Sequence, residues 1–388
     1  VNFGSLFCGC GGLDLGFQDA GLNPIFAYDN WQAAIDTYNH NFHHSAEKRD
    51  LSVEQIIIPK SCDVLVSGSP CQGYSTLGKR RVDDPRNNLL FKAIDAGTES
   101  RVPIIVLENV VGAIQGVFRN NWEKAERQLQ NNGYWTKTIV LDASNFNVPQ
   151  QRKRVFLVAR LGKKDFQLDP IKQNAKGLGH YIGNNKIDPE DIPKNFQLSS
   201  DQLKISKAIA QGKKLCDVRL GDRSVHTWDI PEVFGTTSAE EKLLLVTISK
   251  LRRRLRRRSN GDADPVELEQ LKQHCGYELD KQILSLVKKG YITKKDGYID
   301  LSHRFNGKYK RPFYDGFSPT VDTTFGNPKN FLHPTQHRGF TVREAAKIQG
   351  FPDSFEFFGS IHNQFKMIGN AVPPPLAKAL AESILKVL

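Results

Sequence analysis

The chain has 388 residues, 39% hydrophobic and 25% charged, with a formal net charge of +12. That length exceeds what one hydrophobic core usually supports, so two domains are expected; no run approaches the ~20 apolar residues of a membrane-spanning helix, and no secretory leader is legible ahead of Phe3. The basic balance favours a polyanionic partner, and six cysteines without a C-x-x-C pair argue against a zinc ribbon or a disulfide framework and for a reducing, cytoplasmic setting.

The first predicted element is a strand, Phe3–Phe7, that runs into Cys8-Gly9-Cys10-Gly11-Gly12 and then a helix carrying Leu13, Leu15 and Phe17. Glycines in such a turn let backbone N–H groups come close to a ligand. A second strand, Pro24–Tyr28, ends in Asp29, and an acid at that place is the usual partner of a ribose diol. Asp50 follows the next helix and either accepts from an adenine amino group or caps a helix. The glycine pattern is G-x-G-G rather than G-x-G-x-x-G, which disfavours a pyrophosphate cradle. A ligand with a ribose and an adenine but no phosphates fits better, and S-adenosyl-L-methionine is such a ligand.

Val64–Gly68 is an apolar run leading into Ser69-Pro70-Cys71-Gln72. It reads as a buried parallel strand that delivers a cysteine where open α/β sheets bind ligands, with Pro70 fixing the backbone before it. A lone cysteine is ordinarily a small buried hydrophobe, and Cys8, Cys10, Cys62, Cys216 and Cys275 are read so. Cys71 differs because another strand, Ile104–Leu107, delivers a carboxyl group, Glu108, in the same manner. A thiol and an acid on strand ends of one sheet can attack and protonate the same small substrate. Residues 73–88 read as a polar loop carrying the basic run Lys79, Arg80 and Arg81, with a solvated basic loop as the bland alternative.

The middle of the chain, from Arg160 to Phe317, is more polar and more basic. Ser238-Ala239-Glu240-Glu241 is a capping box that opens a helix with Leu244, Ile248, Leu251 and Leu255 on one stripe. The helix ends in Arg252, Arg253, Arg254, Leu255, Arg256, Arg257 and Arg258, a run read as phosphate-binding, with a solvated face as the alternative. Asp264-Pro265 predicts a helix start, a helix to Gln273, a turn at Gly276 and a second helix from Glu278 to Lys289. Asp296-Gly297 then marks a hairpin. Helix, turn, helix, hairpin is the outline of a winged helix. Beyond it, Thr341 caps a helix that stops at Gly350, and Pro373–Pro375 opens a last helix whose apolar stripe suits packing on the sheet.

Ten segments stand in a telling order: Phe7–Gly12, Tyr28-Asp29-Asn30, Asp50, Gly68–Gln72, Arg86–Leu89, Glu108-Asn109-Val110, Gln150–Arg154, Thr341–Ala346, Gln349–Pro352 and Gly369–Pro373. On these the chain resembles the DNA cytosine-5 methyltransferases of bacterial restriction–modification systems. The resemblance implies a Rossmann-like α/β methyltransferase sheet with helices on both faces. It further implies a cofactor-binding catalytic domain over 1–160, a smaller target-recognition domain inserted over 161–320, and a C-terminal return over 321–388.

Residue by residue, the resemblance makes Cys71 the nucleophile, Glu108 the group on the cytosine N3 and N4 edge, Arg154 the residue at O2, and Arg152 its neighbour supporting the loop. Phe7, Gly9, Gly11, Gly12, Asp29, Asn30, Asp50, Leu51, Pro70 and Leu89 resemble the S-adenosyl-L-methionine contacts, and Asn370 and Val372 the residues that close over that cofactor. The resemblance also implies that the 73–88 loop closes on DNA with Lys79, Arg80 and Arg81 near phosphates, and Gln72, Ser75 and the arginines of 252–258 are expected on DNA as well. One departure is Asp29, where the family usually has Glu. The implied partner is double-stranded DNA, with a cognate endonuclease that forms no stable complex, and the implied enzyme is a monomer without metal. A tRNA cytosine-5 methyltransferase is the nearest rival and a non-catalytic DNA-binding regulator the next. The long basic insert argues against the first, and Cys71, Glu108 and Arg154 together argue against the second.

Overall fold

A computed structural model describes residues 1–70, 85–162, 165–183, 196–257, 263–275 and 279–388, with backbone alone at 85 and 86. Cys71, Gln72, Ser75, Lys79, Arg80, Arg81 and Arg258 therefore lie outside the described residues. The chain forms two compact units. One comprises Val1–Asn185, Asp315–Thr324 and Val342–Leu388; the other comprises Lys186–Tyr314 and Phe325–Thr341. The first unit thus extends past the expected boundary at 160. Phe166 and Leu168 pack into its core, and the Asp169 N–H donates to Ser383 Oγ at 2.8 Å.

In the first unit the strands are β1 (Asn2–Leu6), β2 (Asn23–Asp29), β3 (Ala46–Lys48), β4 (Val64–Ser67), β5 (Ile104–Val110), β6 (Tyr134–Asp142) and β7 (Lys153–Leu161). The helices are α1 (Gly12–Asp19), α2 (Gln32–Asn41), α3 (Leu89–Glu99), α4 (Arg119–Asn131) and α5 (Leu178–Ile182). The second unit holds α6 (Ser200–Ala208), β8 (Lys214–Cys216), β9 (Ser224–Val225), α7 (Pro231–Phe234), α8 (Ala239–Arg254), β10 (Val266–Glu267), α9 (Leu268–Cys275), α10 (Asp280–Lys288), β11 (Ile292–Lys295), β12 (Tyr298–Leu301) and β13 (Asn306–Lys308). The chain then returns to the first unit with α11 (Val342–Gln349), α12 (Ile361–Asn370) and α13 (Pro374–Leu385).

The seven strands lie in the order β3-β2-β1-β4-β5-β7-β6. Neighbours are parallel except at β7, which runs antiparallel to β5 and β6. Side chains alternate across a strand, and here both faces are covered. Leu65, Ile105 and Leu107 pack with Leu90 and Ile94 of α3 and Trp122 and Leu129 of α4. Val64, Ile104 and Val106 pack on the other face with Phe17 of α1 and Leu376 and Leu380 of α13. That double coverage explains why the central strands read as unbroken apolar runs.

Strand order reverses between β1 and β4, since the chain moves outward one way through β2 and β3 and the other way through β5. Open α/β sheets bind ligands at that switch point, beyond the carboxyl ends. The segments there are Phe7–Gly12 after β1 and Gly68–Pro70 after β4, joined where the Gly68 N–H donates to Leu6 O at 3.1 Å. Because β7 is antiparallel, its first residues lie at the same sheet edge, with Arg154 opposite Val110.

The second unit carries two three-stranded sheets, β10-β12-β11 and β13-β8-β9. Ser238 and Glu241 close the expected capping box on α8. A helix was expected from Pro265, yet Val266–Glu267 is a strand paired antiparallel with Tyr298–Ile299. Val266 is β-branched and buried in this unit's core, and its pairing with the hairpin outweighs the local helix signal. The hairpin turn at Asp296 and Gly297 has φ of 51° and 78°, the two left-handed residues of a type I′ turn.

Candidate active site

The loop after β1 holds three left-handed residues, Phe7, Gly9 and Gly11, with φ of 57°, 56° and 90°. A bulky residue such as Phe7 adopts that conformation only under constraint, and such strain gathers at ligand sites. The constraint is visible: the Cys8 N–H donates to Tyr28 O at 3.1 Å, and the Gly9 N–H to Asp29 Oδ2 at 2.9 Å. Asp29 Oδ1 accepts from the Trp31 N–H at 2.9 Å. Asp29 therefore shapes the loop itself, and each oxygen keeps a second lone pair for a hydroxyl. Burial raises its carboxyl above the ordinary range, opposed by backbone N–H donors. Above Gly9 there is open space, with no atom within 4 Å of where a Cβ would stand. A half-buried carboxylate beside that space repels phosphate and favours a diol or a cation, so these residues fit S-adenosyl-L-methionine better than a dinucleotide.

Gly12 serves a different purpose. A Cβ there would stand 2.5 Å from the Val372 carbonyl oxygen, so only glycine lets the C-terminal return meet the loop. That places Val372 beside the loop, while Asn370 is exposed at the end of α12. The remaining expected cofactor residues divide. Asn30 is exposed and Pro70 half-buried, and Leu89 is buried at the start of α3. Asp50 is exposed, and its Oδ1 accepts from the Ser52 N–H and hydroxyl at 2.9 and 2.6 Å; it caps a turn, and no helix starts there. The Leu51 side chain is 2% exposed and packs in the core with Tyr28 and Ile58.

Thiols other than Cys71 are structural. Burial pushes Cys10 and Cys62 up to about 12 and Cys8 well above its ordinary value, which keeps them neutral and unreactive. Beneath the loop sits a group with no role in the sequence reading. Asp14 is fully buried at the start of α1, and it accepts from Ser5 Oγ at 2.8 Å and Tyr38 Oη at 3.0 Å. It ties α1 to β1 and α2, and burial pushes its carboxyl up to about 7. The folded state thus binds a proton that the unfolded chain releases near pH 4, so stability from this group is complete below that pH and is lost as pH rises towards 7. Asp14→Asn is expected to remove a pH-dependent component of a few kcal/mol. Thermal melts of both proteins between pH 4 and 8 check this; parallel curves would refute it.

At the other strand end, Glu108 is 8% exposed, and its Oε1 lies 2.9 Å from Arg154 Nε. Burial raises the Glu108 carboxyl, with Arg154 and then Arg152 pulling it back. The result is a carboxyl that can hold a proton, beside a cation fixed on the neighbouring strand.

Arg152 is 2% exposed and faces inward. Its Nη1 donates to Val321 O at 2.7 Å, and its Nη2 donates to Gly369 O and Ala371 O at 2.8 and 3.0 Å. Two glutamines extend this frame. Gln150 donates to Ile348 O at 3.1 Å and accepts from the Val321 N–H at 3.0 Å, and Gln349 donates to Ile368 O at 2.9 Å. Both stand within segments that carry the resemblance, yet nothing local marks them as braces, because their partners come from other parts of the chain.

In the second unit the arginine run splits. Arg252 is a correction to the expected phosphate role: it is 1% exposed, and its Nε lies 2.6 Å from Asp300 Oδ1. Its position on α8 turns it towards β12, with Leu244 and Ile248 on the same buried side. Arg257 reaches Glu267 at 2.8 Å. Arg253, Arg254 and Arg256 are exposed.

Among the described residues no helix is long and apolar enough to cross a membrane, and no group of three or more His, Cys, Asp or Glu side chains is placed to hold a metal ion.

The C-5 cytosine-specific DNA methylase family profile covers residues 1–386. The chain is 31% identical to the Type II methyltransferase M.AgeI of Thalassovita gelatinovora over 434 aligned positions, 98% of each chain. It is 27% identical to M.HgiBI of Herpetosiphon aurantiacus, over 98% of this chain and 96% of that one. Among solved structures, a DNA modification methyltransferase encoded within an E. coli prophage shares the fold with a TM-score of 0.56 and 23% identity, over 100% and 99% of the two chains. The S. pombe Dnmt2 methyltransferase does so with a TM-score of 0.54 and 16% identity, over 100% and 99%. On the family profile and the near full-length relatives, this chain belongs to the C-5 cytosine-specific DNA methylases, enzymes that transfer a methyl group from S-adenosyl-L-methionine to carbon 5 of cytosine in DNA.

Proposed function

We propose that the enzyme methylates a cytosine flipped out of duplex DNA through a covalent bond between Cys71 and C6, and that it protects DNA in a restriction–modification setting. The buried Glu108–Arg154 pair, on adjacent strands at the sheet edge where β4 leads to Cys71, carries this reading. Cytosine C5 is a weak nucleophile because the ring is aromatic. Cys71 adds as thiolate to C6, the displaced π electrons move towards N3 and O2, and C5 becomes electron-rich. In the protonated form that burial favours, Glu108 donates to N3, and Arg154 holds Glu108 in place and offsets charge at O2. Phe7, Gly9, Gly11, Gly12, Asp29, Asn30, Asp50, the Leu51 backbone, Pro70, Leu89, Asn370 and Val372 hold S-adenosyl-L-methionine, which supplies an electrophilic methyl group. Loss of the C5 proton then expels the Cys71 thiolate and restores the ring. Extruding the base costs a few kcal/mol, supplied by contacts to the duplex. The second unit reads the target, Gln72, Ser75, Lys79, Arg80 and Arg81 contact DNA, and the enzyme acts as a monomer with no stable nuclease complex.

The test offers labelled S-adenosyl-L-methionine with duplex DNA and with tRNA, followed by bisulfite sequencing. Label at one cytosine within a fixed duplex sequence is expected; label in tRNA alone would overturn the reading. Glu108→Gln is expected to lower kcat by roughly 10²- to 10⁴-fold, the usual range for a positioned acid. Wild-type rate should also fall as pH rises through the Glu108 titration, and this limb should be missing in the Gln variant.

A further inference from the structure

Among the described residues, the second unit has the helices and strands of a winged helix. Its elements run α8-β10-α9-α10-β11-β12, with β12 central in the small sheet, paired antiparallel with β10 on one side and β11 on the other. In helix-turn-helix proteins the second helix of the pair enters the major groove. Here that helix is α10. Ile283 and Leu286 face the core, and Lys281, Leu284 and Lys288 share the opposite, exposed face. Leu284 is 68% exposed, and Val287 beside it 40%.

We propose that α10 reads bases in the major groove and that the β11–β12 hairpin grips the neighbouring phosphates, which makes this module a determinant of target sequence. The proposal rests on the reading of the chain as a duplex DNA methyltransferase and assigns one surface to it. Charge selects the occupant. Lys281, Lys288, Lys294 and Lys295 are exposed and have no ion-pair partner among the described residues. Asp280 is engaged by Lys272 at 3.2 Å, and Lys289 is spent on Glu241 at 2.7 Å, so neither alters that balance. Asp296, at the hairpin tip, is the opposing charge. Leu284 and Val287 are single apolar side chains between lysines rather than a broad patch, a pattern that matches thymine methyl groups in the major groove. The same geometry shifts the expected phosphate role from the whole arginine run, whose first member is buried, to the hairpin lysines.

Two variants of the full-length protein separate the roles. Lys294→Gln with Lys295→Gln should raise Kd for duplex DNA and flatten the slope of log K against log salt by about 0.9 per lysine, so the variant's disadvantage shrinks about tenfold between 50 and 200 mM salt. Leu284→Ser should leave that slope intact and relax preference at one or two base pairs by about tenfold, read by methylation of duplexes with randomised bases around the modified cytosine. Circular dichroism and S-adenosylhomocysteine affinity establish that both variants are folded. A folded hairpin variant with unchanged Kd and salt slope, or a folded Leu284→Ser with unchanged base preference, would overturn the proposal while leaving methyl transfer to DNA untouched. Binding of a protein partner lost in Leu284→Ser, with base preference intact, would overturn it as well. Absence of DNA methylation by the wild type would instead remove the reading on which it rests.

Discussion

Cys71→Ser is expected to lower methyl transfer to duplex DNA by roughly 10⁴- to 10⁶-fold, the scale of losing a nucleophile that acts in concert with other groups. The reason is ionisation. A thiol reaches its anion near neutral pH when cations stand nearby, whereas a serine hydroxyl needs a dedicated base. The other thiols with resolved shifts, Cys8, Cys10, Cys62 and Cys275, are all raised by burial, so none of them substitutes. A duplex carrying 5-fluorocytosine at the target gives a second readout. Fluorine cannot leave C5 as a cation, so elimination stops and the enzyme remains bonded to C6. Mass spectrometry should find that adduct on the peptide containing Cys71, and none with Cys71→Ser. Full turnover by the serine variant would sink the covalent mechanism.

Arg152→Ala is expected to destabilise the first unit by on the order of 2–6 kcal/mol, because truncation takes the side-chain donor from the buried Val321 and Gly369 carbonyl oxygens, while Ala371 O keeps Gln349 Nε2 at 2.6 Å. That is a large share of the 5–15 kcal/mol typical of a folded domain. Arg152→Lys should recover only part of it, since an ammonium lacks the planar fork that spans Val321, Gly369 and Ala371. The functional signature is distinct from that of Glu108. Gly369 and Ala371 flank Asn370, and Val372 meets the glycine loop at Gly12, so loosening this return should raise KM for S-adenosyl-L-methionine more than it lowers kcat. Thermal melts and steady-state kinetics on Arg152→Lys check both statements. Unchanged melting with unchanged KM would remove the bracing role.

Local patterns were sufficient for much of this. The run Val64–Gly68 before Ser69-Pro70-Cys71, the G-x-G-G turn, the Ser238–Glu241 capping box and the Asp296-Gly297 turn each depend on interactions within a few residues, so neighbours in sequence decide them. The order of the ten segments carried the family in the same way.

Other features depend on partners far along the chain. Arg152 and Arg252 look alike in sequence to surface arginines, and both are buried, one by carbonyls up to 219 positions away and the other by Asp300 across the small sheet. Val266 became a strand because the hairpin more than thirty residues later offered it a ladder. Leu51 went to the core and the Asp14 carboxyl is pushed up to about 7 because burial, which no local pattern encodes, sets both packing and ionisation. The proposed reactive groups could be named from sequence because Glu108 ends an apolar strand run and Cys71 follows one, in a set order. The frame that holds them became visible only in three dimensions, because a buried polar group is satisfied by whichever donors and acceptors the fold brings to it.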